Sequence, residues 1–239
     1  MIALTTKKIF LFTAVLSIQL SFAQFAKVAD PDGDVNVRES ADANSTIAGK
    51  INSGEIVYTF PDERNKTWLN VDYNNKKGEN TAGYIHRSRL KLIESYEAVP
   101  SVSKDKNKAI FQSGPIQVEI TAGKFNYKEN KKFFSSSDYS GQKIEDQYKG
   151  QQVWGTDGTI PETHYKSITV HIGHRIIQVP RKEIESLFNI NNESAQCYYD
   201  LNNDILYITM TNSDGAGSYV VLFEIEKGGY KGRKVMIPF

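Results

Sequence analysis

Apolar and polar positions alternate along most of this chain with the period of a strand rather than of a helix. Val35 and Val37, then Ile56, Tyr58 and Phe60, then Leu69, Val71 and Tyr73 recur at every second position, and Tyr84 and Ile85 close the first set. Short strands are predicted there, with no competing helical period between 25 and 93. Asp30-Pro31-Asp32-Gly33-Asp34 supplies the residue types that turns need. Further strands are predicted over 116–120, 168–172, 175–179, 195–199, 205–210 and 219–225. Residues 94–110 hold Pro100, several serines and alternating charge with little to bury, and so read as a linker. One helix is expected: Pro180 suits a first turn, and Ile184, Leu187 and Phe188 follow at i, i+3 and i+4. Many strands and one short helix predict an all-β protein.

One hairpin is specified in register. Gly173-His174 is a two-residue loop suited to a primed turn. Pairing outward from it opposes Ile172 to Arg175, His171 to Ile176, Val170 to Ile177 and Ile168 to Val179. Ile168, Val170, Ile172, Ile177 and Val179 then share one face, and Thr169, His171, Ile176 and Gln178 share the other. A slip of one residue would break that agreement, so the register is fixed by its own apolar set.

The N-terminal pattern changes the picture of where the chain works. Lys7 and Lys8 precede an apolar run over 9–20, and Ser21-Phe22-Ala23 puts small residues at the −3 and −1 positions. This predicts a secretory signal peptide over 1–23, cleaved between Ala23 and Gln24. The run is about a dozen residues, short of the roughly 20 that a spanning helix needs. Export to the periplasm or the medium is expected, with no membrane partner after cleavage. Position 24 is Gln and the sole cysteine is Cys197, so lipoprotein anchoring is not expected and no internal disulfide can form. Cys197 stands beside Tyr198 and Tyr199 and reads as a buried small hydrophobe.

Charge and motifs narrow the chemistry. The chain carries 29 basic and 28 acidic residues, and without Lys7 and Lys8 the basic count is 27. A nucleic-acid partner is not expected, because it calls for a phosphate-neutralising excess. Asp30 to Asp34 has D-x-D-x-D spacing, but Ala41 stands where a Ca²⁺ loop places its glutamate, so a turn is the better reading. Asp200 to Asp204 likewise reads as a hairpin turn at Asn202-Asn203. His171 and His174 fall on different sides of their hairpin and do not make a metal pair. Asn212-Ser213-Asp214-Gly215-Ala216-Gly217 contains a G-x-G followed by strand residues, which is no phosphate cradle. No cofactor, metal site or catalytic set is expected. Trp154-Gly155-Thr156-Asp157-Gly158 has two readings: a turn capped by Asp157, or a binding loop in which Trp154 stacks and Asp157 accepts hydrogen bonds.

Four blocks in order carry a family resemblance. They are V-N-V-R at 35–38, I-A-G-K-I-N-S-G-E at 47–55, W-L-N-V at 68–71 and G-Y-I-H-R-S-R-L at 83–90. On these the segment 25–93 resembles a bacterial SH3-like (SH3b) domain. The N-N-K-K-G-E-N-T stretch at 74–81 is longer and more polar than the family's usual turn. The resemblance implies a small five- or six-stranded barrel that targets cell wall or serves as an interaction module. Residues 111–239 resemble a domain of uncharacterised exported bacterial proteins, which implies no activity. The expected architecture is therefore a small SH3-like barrel followed by a second β-sandwich or barrel-like domain with one short helix. Tyr58, Trp68, Tyr73 and Tyr84 are the candidate groove residues of the barrel, and Trp154 and Asp157 those of the second domain. The expected function is non-catalytic binding of peptidoglycan or of a protein or peptide in the bacterial envelope. The alternatives are a wall or glycan hydrolase drawing on Asp157, His164 and His171, and an inhibitor or immunity-type protein that blocks a partner.

Overall fold

The computed structural model describes residues 24–62, 64–75 and 78–238. The expected signal peptide lies outside the described residues. The first unit is a curled antiparallel sheet of β1 (Gln24–Val28), β2 (Asp34–Arg38), β3 (Ile47–Asn52), β4 (Ile56–Asp62), β5 (Asn65–Asn74), β6 (Asn80–His86) and β7 (Leu90–Leu92). Their order is β3-β2-β6-β5-β4-β1-β7. Alternation sets the two faces: Val35, Val37, Leu69, Val71, Tyr73 and Ile85 turn inward onto Ala26, Val28 and Val57.

The second unit packs two five-stranded antiparallel sheets face to face. Its strands begin with β8 (Glu97–Ala98), β9 (Ser101–Lys104), β10 (Lys108–Ser113) and β11 (Ile116–Lys124). A one-turn helix α1 (Tyr127–Asn130) leads into an arm of β12 (Phe134–Tyr139), β13 (Gln142–Tyr148) and β14 (Gln151–Gln152). The chain returns through β15 (Thr163–Ile172), β16 (Arg175–Gln178), β17 (Gln196–Asp200), β18 (Ile205–Asn212), β19 (Tyr219–Glu226) and β20 (Gly229–Met236). One sheet runs β16-β15-β11-β10-β9 and the other β20-β19-β18-β17-β8. Between them lies a single apolar core that includes Phe111, Val118, Ile168, Val170, Leu206 and Phe223. The fold is all-β. The β15–β16 hairpin has the expected register, with Ile172 opposite Arg175, His171 opposite Ile176 and Val170 opposite Ile177.

Two expectations change. The stretch 94–110 is not a free linker. Glu97 and Ala98 extend one sheet by pairing with β17, and Ser101 to Lys104 extend the other by pairing with β10. Val99 is buried between them and donates its N–H to the Cys197 carbonyl at 2.9 Å. Its polar residues serve two sheet edges, where the outer face is wet and only every second side chain is covered. The helix expected after Pro180 is only the 3₁₀ turn Arg181–Glu183. Tertiary pairing draws the backbone away from a helical path: Leu187 bridges to Trp154 and Phe188 to His164, and Asn189 turns left-handed at φ 53°. The α-helical turn forms instead at Tyr127, capped by the Asn126 side chain on the Glu129 N–H.

The two units share a third apolar cluster. Phe25, Ile56, Tyr58 and Ile93 from the barrel pack with Tyr198, Tyr207, Leu222 and Met236 from the sandwich. The outer face of β4 and β1 is thereby covered, as a sheet with apolar residues on both faces requires.

Candidate ligand-binding site

The residues that line the barrel's open hollow follow from the same alternation that builds its core. With Val35 and Val37 inward, Asn36 and Arg38 turn outward on β2. With Leu69 and Val71 inward, Trp68 and Asn70 turn outward on β5, and Tyr84 and His86 do so on β6. Register then sets Trp68 opposite His86, Asn70 opposite Tyr84 and Arg38 opposite Tyr84. The Trp68 and His86 rings meet edge to face at 5.3 Å and 90°. Beside them opens a hollow of about 460 Å³, lined by Trp68, His86, Arg38, Asn36, Arg89 and the turn at Asp30 to Asp34.

Some of these groups are already engaged. Asp30 is nearly buried; it accepts the Asp32 N–H at 3.0 Å and pairs with Arg89 at 3.1 Å, which makes the 30–34 segment a braced turn. Asp34 pairs with exposed Lys50 at 3.0 Å, a contact of little net worth. Arg38 donates to the Ser45 carbonyl. His86 Nδ1 lies 2.7 Å from the Ser88 hydroxyl and accepts the Ser88 N–H, which caps the 3₁₀ turn Arg87–Arg89. No carboxylate bonds to the other ring nitrogen among the described residues, so this contact is a cap and not a triad. Two acceptors on this face are left over. The carboxamide oxygens of Asn36 and Asn70 are out of solvent and have no hydrogen-bond partner. An unsatisfied buried polar group costs about 1–3 kcal/mol, which a ligand donor that reached it would recover.

The four barrel candidates divide evenly. Trp68 and Tyr84 are half-buried on the outward face of the β2–β6–β5 sheet. Tyr58 and Tyr73 are not on that face. Tyr73 lies in the barrel interior, and Tyr58 lies in the cluster between the units, where burial and then Glu94 push its phenol up to about 12. Both belong to faces that are covered on folding. Sequence reasoning passed over Asn36, Arg38 and His86, although V-N-V-R and Y-I-H already placed them opposite the inward Val35, Val37 and Ile85.

The second candidate loop is built differently. Trp154 packs against the sandwich core, its ring 6.1 Å from that of Tyr219, and its backbone bonds to Ser186 and Phe188. Asp157 is exposed and left-handed at φ 43°. The loop is tied down by the Gly155 carbonyl, which accepts from Asn189 Nδ2 at 2.6 Å and from the Ser213 hydroxyl at 2.8 Å. Beneath it, Asn212 is fully buried, donates to the Tyr165 hydroxyl at 2.9 Å and accepts the Asn191 N–H at 2.8 Å. The open depression nearby is lined by Thr159, Ile160, Glu162, Asn189, Asn191 and Asp214, and neither Trp154 nor Asp157 is among its lining residues. Trp154 is an anchor for the loop, and Asp157 a turn residue at its tip.

The remaining polar candidates do not converge. His164 is buried, 5.2 Å from the Phe125 ring; burial, Lys166 and Arg181 push its imidazole down to about 4. His171 lies seven positions further along β15, roughly 23 Å away for an extended strand. Burial pushes the Cys197 thiol far up, as suits a core residue. No protein-family model, curated protein or solved structure matches this chain.

Proposed function

We propose that this is an exported, non-catalytic binding protein of the bacterial envelope whose barrel holds peptidoglycan or an extended peptide. The observation that carries the reading is the outward face of the β2–β6–β5 sheet. There the Trp68–His86 corner, the guanidinium groups of Arg38 and Arg89, the carboxylate of Asp32 and Asn36 line one hollow, and the Asn70 oxygen, unpartnered like that of Asn36, lies on the same outward face opposite Tyr84. Wall stem peptides offer ammonium and carboxylate groups, and the glycan offers hydroxyls and apolar ring faces. A site with an aromatic edge and polar groups of both signs suits such a ligand. The ordered blocks that resemble an SH3b domain support the same assignment.

Sedimentation with purified peptidoglycan tests it. Retention at moderate salt without release of soluble fragments is the expected result. Fragment release would replace binding by hydrolysis. Failure to sediment would remove the wall as ligand and turn attention to a protein partner.

A further inference from the structure

The base of the β12–β13 arm puts basic and aromatic groups on one exposed corner of the sandwich. The α-helical turn Tyr127–Asn130 runs directly into the 3₁₀ turn Lys131–Phe133, so Lys128, Lys131 and Lys132, three and four positions apart, share one side. Phe134 then turns in to the aromatic base with Tyr148 and Phe188, and Phe133 turns out, 41% exposed. The outward residue is firmly held. Its carbonyl accepts the Lys149 N–H at 2.9 Å, and its ring lies 6.2 Å from that of buried Tyr148.

Ammonium groups flank that ring. Lys132 Nζ lies 5.1 Å and Lys149 Nζ 5.5 Å from the Phe133 centroid, and Lys131 Nζ lies 5.9 Å from that of Tyr127. Two of the nearby acids are engaged: Glu185 pairs with Lys149 at 2.6 Å, and Glu145 accepts the Tyr127 hydroxyl at 2.8 Å. Glu129 is exposed in the same turn. Lys128, Lys131 and Lys132 form no ion pair among the described residues. A single exposed phenylalanine needs no explanation. One flanked by ammonium groups without acidic partners offers an apolar centre with a cationic rim.

We propose that this corner is an interaction surface for an anionic phospholipid bilayer, with Phe133 at the headgroup boundary and Lys128, Lys131, Lys132 and Lys149 against lipid phosphates. Charge complementarity selects the class of partner. The exposed ring selects a bilayer over a soluble anionic polymer, which has no apolar layer to take it. No helix among the described residues is long and apolar enough to cross a membrane, and a peripheral contact needs none. The surface shares no residue with the barrel hollow, so it stands whether or not the barrel holds wall. Each lysine close to such a surface strengthens binding about fivefold, an attraction that salt screens.

Co-sedimentation of the purified full chain with phosphatidylglycerol–phosphatidylcholine vesicles, and with phosphatidylcholine vesicles, tests this. Binding should favour the anionic vesicles, weaken with salt, and fall roughly 30-fold in Lys131→Ala/Lys132→Ala. Both lysines are exposed, so the fold should survive their loss. The apolar run over 9–20 is common to both proteins and cancels in the comparison. Equal binding by the two proteins, or by the two kinds of vesicle, would overturn the proposal. Phe133→Trp gives a readout local to the corner. Its emission should shift to the blue on adding anionic vesicles, beyond any shift of Trp68 and Trp154 in the wild type. Lysine-dependent binding without that shift would mean an anionic partner held without insertion, and would overturn the bilayer assignment.

Discussion

Replacing Tyr58 by alanine separates two roles for a residue that the alternation in β4 leaves open. Tyr58 is 3% exposed and packs edge to face with Phe25 at 5.0 Å and with Phe60 at 5.2 Å. Truncating a buried aromatic side chain costs about 3–5 kcal/mol, part of it transfer and part the cavity left behind. The cavity already at this seam allows some collapse, so about 3–4 kcal/mol is the expected loss. For a chain of this size each kcal/mol moves the midpoint by about 2–4 °C, which gives a drop of roughly 6–16 °C. The cluster joins both units, so the drop should appear in one transition, by calorimetry and by near-ultraviolet circular dichroism alike. Leu222→Ala, made from the sandwich side of the cluster, should shift the same transition. Wall retention of the folded Tyr58→Ala variant should persist. An unchanged midpoint together with lost retention would mean that Tyr58 faces ligand, and would refute this packing.

Two further outcomes follow from the sandwich. Gly155 has φ +93°, and an added β-carbon would overlap the Phe188 carbonyl oxygen and lie 2.8 Å from Tyr219 Cε1. Gly155→Ala should therefore cost about 2–5 kcal/mol by urea unfolding, from backbone strain plus overpacking. Gly158→Ala, at φ +71° with open space around it, should cost only about 1 kcal/mol, and equal costs would contradict the close approach at Gly155. The imidazole of His164 is held down at about 4 in the fold against an ordinary value of 6.5. Its contribution is complete above pH 6.5 and is lost as pH falls to about 4, because the unfolded chain binds the proton first. The loss is at most about 3 kcal/mol. Stability measured against pH should show that slope in the wild type and lack it in His164→Phe; parallel curves would contradict the assignment.

What could be read from the chain followed the strength of the local pattern. The 168–179 hairpin was legible to the residue because its apolar set is satisfied in only one register, and those five side chains are the buried ones. The β12–β13 arm was not legible. Phe134-Ser135-Ser136-Ser137-Asp138-Tyr139 is exposed on both faces and has no apolar alternation to reveal it. Its aromatic base joins Phe134 and Tyr148, cross-strand partners within the arm, to Phe188 from a distant segment. The strands within 94–110 were missed for a similar reason, since edge positions need few apolar residues. At Leu187 and Phe188 the helical spacing was genuine, but bridges to Trp154 and His164 overrode it. On the barrel, the alternation of Leu69, Val71 and Tyr73 already placed Tyr73 inward, and naming it a groove residue went against that pattern. Polar alternation could not tell which outward face a second unit covers, and so Tyr58 was grouped with Trp68.

Under the proposed function, the outward face of the β2–β6–β5 sheet holds the ligand. Side-by-side sedimentation of wild type and Trp68→Ala with purified peptidoglycan tests it most directly, with circular dichroism confirming that both are folded. Trp68 is half-buried at the edge of the hollow, so its loss should leave the fold intact and lower retention at least several-fold. Full retention by the folded Trp68→Ala protein would contradict the claim and move the binding surface elsewhere on the molecule.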